Sequence, residues 1–159
     1  MTTITRREAC ELVRTAIGKT DVPEENIRRI IYAVNNDIQV RDFLLGIPMH
    51  YSAVDCATLL KSIVDVADPQ EAVPFATILA AYAYEAGDLD SVTKSLSFAY
   101  SADPSYSLTK LLMRVTASGW PKEAFIKMRE ELHLKVMANC YGPEGDEVIN
   151  PVRTEEEEE

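Results

Sequence analysis

Few side chains in this chain are suited to chemistry. Two histidines occur, His50 in the stretch GIPMHYS and His133 in EELHLK. Glu130 and His133 stand three apart, so on a helix a carboxylate and an imidazole share one face. Di-iron carboxylate bundles use two such Glu-x-x-His pairs with two further glutamates. The chain has one such pair, so Glu130 and His133 read as a solvated contact rather than a metal centre. Cys10, Cys56 and Cys140 lie far apart and make none of the short-spaced pairs of zinc or redox motifs. They read as two core thiols and one tail thiol in a reducing, cytoplasmic setting. No glycine-rich phosphate loop, zinc-protease helix or nucleophile elbow is present. Asp42 beside Arg41, and Asp55, Asp65 and Asp68, read as helix caps and surface pairs. The chain is therefore not read as an enzyme, and no catalytic residue, cofactor or metal is expected.

The aromatic residues point elsewhere. Tyr82, Tyr84, Phe98, Tyr100, Tyr106 and Trp120 crowd into one region, and a helical hairpin cannot bury them all. Tyr and Trp are enriched where proteins meet. Tyr84, Tyr100, Tyr106 and Trp120 are thus the candidate interaction surface.

These residues must be held by helices. Thr5 and Glu8 have capping-box spacing, followed by apolar Ala9, Leu12, Val13, Ala16 and Ile17 at helical intervals. Pro23 with Glu24 and Glu25 opens a second helix carrying Ile27, Ile30, Ile31 and Val34. Asn35-Asn36-Asp37 separates it from a short one with Val40, Phe43, Leu44 and Leu45. Ser52 to Asp55 caps a fourth helix, which Asp68-Pro69 ends while starting a fifth. Pro74 falls one turn inside that fifth helix and should bend it. Phe75 to Ala86 is apolar nearly all round and is expected to be the most buried segment. Gly87-Asp88 turns the chain into a helix bearing Val92, Leu96 and Ala99, and Asp103-Pro104 turns it again. Leu108, Leu111, Leu112 and Val115 mark a seventh. After Gly119, Trp120-Pro121 begins an eighth with Ala124, Phe125, Met128, Leu132 and Val136. The expected fold is all-α, a bundle of about eight antiparallel helices.

Composition bounds the rest. The 159 residues suffice for one domain, expected over 1–138, with an irregular acidic tail over 139–159. Net charge is −10, five units of it from Glu155 to Glu159; the remainder sets 21 acids against 16 bases. A direct nucleic-acid binder normally shows a basic footprint, so none is expected. No run approaches the roughly 18 apolar residues of a membrane helix, and the N-terminus lacks a signal core.

Residues 74–106, PFATILAAYAYEAGDLDSVTKSLSFAYSADPSY, resemble one tetratricopeptide unit. Leu79-Ala80, Gly87, Ala99 and Pro104 fall at its positions, whereas Val92 stands where the repeat favours alanine. One copy makes a tetratricopeptide-like hairpin inside a bundle. VRDFLL (40–45), VDVADP (64–69), ATILAAYAYEAGD (76–88), ADPSYSLTKLL (102–112) and GWP (119–121) together resemble the family called domain of unknown function 4192, found in actinobacteria and their phages. The resemblance covers about residues 38–130 and implies the C-terminal half of that family, whose longer members carry a further N-terminal portion. Trp is common there where Tyr84 stands. The resemblance implies no activity.

The expected function is a protein–protein interaction module, with a protein partner or a second copy as ligand. The alternative is a small acidic, phage-type effector that covers a basic surface of a nucleic-acid-handling host protein.

Overall fold

The computed structural model describes residues 3–151, and those residues build eight α-helices and two short 3-10 turns. The helices are α1 (Arg6–Ala16), α2 (Glu24–Asn36), α3 (Ile38–Gly46), α4 (Ala53–Val66), α5 (Pro69–Ala86), α6 (Leu89–Ala102), α7 (Ser107–Ala117) and α8 (Lys122–Tyr141). The all-α bundle expected from apolar spacing is the fold observed. No described helix is long and apolar enough to cross a membrane.

Local chemistry sets the helix ends. Thr5 accepts from the Glu8 amide while Glu8 accepts from the Thr5 amide at 2.9 Å, which satisfies two donors that α1 would leave unpaired. Asp68 and Glu71 form a second capping box on α5, which the sequence reading had not singled out. Asp37 caps α3 through the Gln39 amide at 2.8 Å and also pairs with Arg6 of α1 at 3.0 Å. Gly87 ends α5 at φ +78°, a left-handed cap that any side chain would strain. Only Asp88 separates it from α6, so the two helices fold back on each other.

α5 is the axis of the bundle. It packs against α2, α3, α4, α6, α7 and α8. Small residues at Ala76 and Ala99 bring α5 and α6 close together, and the buried Thr77 and Thr109 hydroxyls link α5 to α7 at 2.8 Å. Phe43, Leu60, Ile63, Phe75, Ile78 and Phe125 fill the centre. Pro74 is accommodated within α5 and fully packed.

The C-terminal segment departs from its expected character. α8 continues past 138 to Tyr141, a 3-10 turn follows at Pro143–Asp146, and residues 147–149 lie beside the start of α1. The Arg6 amide donates to the Glu147 carbonyl at 3.0 Å, and the Ile149 amide donates to the Ile4 carbonyl at 2.9 Å. Thr5 and Val148 form an antiparallel bridge there. Arg7 reaches the Gly142 carbonyl at 2.7 Å, Tyr32 reaches the Ile149 carbonyl at 3.1 Å, and Ile149 is buried. Buried Ile149 and the arginines of α1 explain why the two glycines and two prolines do not release this stretch. Glu155 to Glu159 lie outside the described residues. Cys140 is accordingly a core thiol, not a tail thiol. Its Sγ lies 4.0 Å from the Gln39 carbonyl, and the neighbouring Cys140 thiol together with burial raises the Cys10 pKa.

Candidate functional site

The four aromatic candidates do not form one surface. Tyr84 is buried, because α5 is enclosed on nearly every side, and so it cannot contact a partner. Its ring meets Phe125 edge-on at 5.5 Å between centroids, and its hydroxyl donates to the Trp120 carbonyl. Tyr84 thus pins the loop between α7 and α8. Tyr106 is half-buried within hydrogen-bonding reach (3.5 Å) of Arg41, which itself pairs with Asp42 at 2.9 Å. Burial raises the Tyr106 pKa, and Arg41 opposes that rise. Tyr100 and Trp120 are the exposed pair, at 44% and 41%. They lie on different surfaces. Tyr100 borders a trough between α6 and α7 with Leu89, Leu96 and Met113. Trp120 borders a groove between α7 and α8.

That groove is the most apolar concavity among those described. α7 and α8 both rest on α5 but hardly touch each other, and the gap between them is a cavity of about 530 Å³. Leu45 of α3, Leu108 and Leu112 of α7 and Phe125 of α8 lie deepest. Leu111 and Val115 of α7 and Met128 and Leu132 of α8 form the walls, and Leu111 remains 45% exposed. Polar lining comes from Arg41, Asp42, Arg114 and Ser118. In the sequence Leu111, Met128 and Leu132 only mark the apolar stripes of their helices, and that spacing does not reveal a groove. Its electrostatic signal was present in the sequence. Between 104 and 128 stand Lys110, Arg114, Lys122 and Lys127 against the single acid Glu123, in a chain of net charge −10, and Arg114 is the one of these that lines the groove.

A second cleft, also about 530 Å³, opens among α1, α2 and α4. Its lining mixes Lys19, Asp55, Thr58 and Ser62, and the last two hydroxyls bond carbonyls of their own helix. It presents no comparable apolar face.

The histidines sit behind the groove rather than in it. His133 is only 1% exposed, so the expected solvated Glu130–His133 contact does not form. Among the described residues, neither ring nitrogen of His133 has a hydrogen-bond partner. Its ring lies 5.6 Å from Phe43 and 5.2 Å from exposed His50. Burial, with lesser repulsion from His50 and Arg129, pushes its pKa down to about 4. The imidazole fits only because Gly46 ends α3 beside it: a Cβ on Gly46 would stand 2.3 Å from Nδ1. One turn away, buried Arg129 donates through Nε to Glu85 at 2.9 Å and through its other nitrogens to Glu85 and the Gly46 carbonyl. This pair ties α8 to α5 and α3. Among the described residues, no three His, Cys, Asp or Glu side chains group as a metal ion would require.

No curated protein and no solved structure matches the chain. A family model does match, over residues 3–123, from just before α1 to the first turn of α8. It begins well ahead of residue 38, where the resemblance had first been read, and it takes in α7 and the Trp120 loop. The chain belongs to the family described as domain of unknown function (DUF4192).

Proposed function

We propose that this protein is a non-enzymatic protein-interaction module and that the groove between α7 and α8 is its docking site. One observation carries the reading: an apolar groove stays open to solvent between two helices otherwise anchored in the core. Exposed apolar surface of this kind marks interaction sites on proteins that otherwise bury such residues. The α5–α6 hairpin resembles a tetratricopeptide unit, a class built for recognition by surfaces, and supports the same reading. Three buried thiols suit work in a reducing, cytoplasmic compartment.

The test pairs the native chain with Leu111→Glu as bait in lysate of the source cell, read by mass spectrometry. Leu111 is exposed enough for the substitution to leave the fold intact, as circular dichroism would verify. A protein recovered by the native chain and lost with Leu111→Glu is the expected result. Equal recovery by both would remove the groove from the reading.

The acidic-effector alternative rests on the net charge of −10, half of it in Glu155 to Glu159. It expects that deleting those five residues abolishes binding to a basic partner at low salt. Arg114, unpaired among the described residues at the groove edge, favours the module reading there.

A further inference from the structure

Resting on the groove reading above, we infer that the occupant is an acidic amphipathic helix of a partner protein. The shape selects a helix. α7 has 11 residues, a span of about 16 Å. A groove of that length between two helices accepts about three turns, with apolar anchors at i, i+3 or i+4, and i+7. Those anchors would bury against Leu108, Leu112 and Phe125 and displace water from Leu111, Met128 and Leu132.

Charge selects the sign. Arg114 lines the groove at the outer edge of α7, whereas Lys110, one turn before it, stands outside the lining. Arg114 appears in none of the ion pairs found among the described residues. Asp42 is already held by Arg41. A helix seated on the leucines therefore sets its polar flank against the Arg114 guanidinium, and a carboxylate there gains where a lysine would be repelled. The chain's own acidic end matches such a groove poorly in composition. VRTEEEEE supplies the charge but only one apolar side chain, Val152, to fill an apolar groove.

A displayed library of 16-residue helices tests this, with leucine fixed at i, i+3, i+4 and i+7 and glutamate or lysine permitted at the flanking positions. Selection is on the full chain, with counter-selection on Leu111→Glu. Glutamate should be enriched, and the selected peptides should bind at least about tenfold more weakly to Leu111→Glu and several-fold more weakly to Arg114→Glu. Their affinity should also fall as salt is raised. Enrichment of lysine, or equal recovery of both signs, overturns the acidic occupant and leaves the docking groove standing. No enrichment over Leu111→Glu removes the groove and its occupant together. A dimer in light scattering that Leu111→Glu dissociates overturns the partner helix in favour of a second copy.

Discussion

His133 is a base held where it cannot easily take a proton. Unfolded, it titrates near the ordinary 6.5; folded, burial beside Phe43 and Arg129 holds it near about 4. Between these values the unfolded chain binds the extra proton, so folding stability rises with pH across that window. The contribution is complete above 6.5 and is lost as pH falls toward 4, a loss of at most about 3 kcal/mol. Urea unfolding at pH 7 and pH 4.5 should show this loss, and His133→Leu should flatten that part of the profile. An unchanged profile in His133→Leu would assign the acid sensitivity to carboxylates instead. Arg129 and Glu85 pose a different residue-scale problem, since a buried guanidinium is paired with a largely covered carboxylate. Glu85→Ala strands a guanidinium and should cost about 3–5 kcal/mol, whereas Glu85→Leu with Arg129→Met should cost far less. A double-mutant cycle by chemical denaturation measures the difference.

At the scale of elements, the junction of α3 and α8 depends on the absence of one atom. Gly46 leaves the space that the His133 ring occupies, so Gly46→Ala should destabilise by about 1–3 kcal/mol. Pairing it with His133→Ala should recover part of that loss, because the clash then has no partner. Strictly additive losses in thermal melts would show that Gly46 matters for another reason. Tyr84 acts on the α7–α8 loop in a comparable way. Tyr84→Phe removes the hydrogen bond to the Trp120 carbonyl and should raise the fluorescence quenching of Trp120 by iodide while leaving helix content unchanged. The helices themselves were legible in the sequence, because Thr5, Asp37, Ser52, Asp68 and Gly87 mark their ends by chemistry local to each end. The groove was not. Leu111 and Leu112 are neighbours on one apolar stripe, yet Leu112 is buried and Leu111 is not. Which of them is covered depends on how far α8 stands from α7, and α5 sets that distance. Tyr84 illustrates the same limit: its type suggests a surface, and only the enclosure of α5 turns it inward.

On the scale of the whole molecule, residues 142–151 belong to the folded body. Gly, Pro and acidic residues argued for an irregular tail, but the partners that hold this segment lie more than a hundred residues away, at and just before α1 and on α2. Local composition could not reveal them. Ile149→Ala should therefore behave as a core substitution and cost about 2–4 kcal/mol in equilibrium unfolding. A loss within experimental error would return the segment to the status of an appendage. The chain segments at Ile4 and Ile149 also lie side by side, which gives the domain a single doorway for the polypeptide. Such a domain can be grafted into a loop of another protein without forcing that loop's two stems apart. It can equally be sealed through this doorway and reopened at Gly119, an exposed turn where an added Cβ would meet no neighbour.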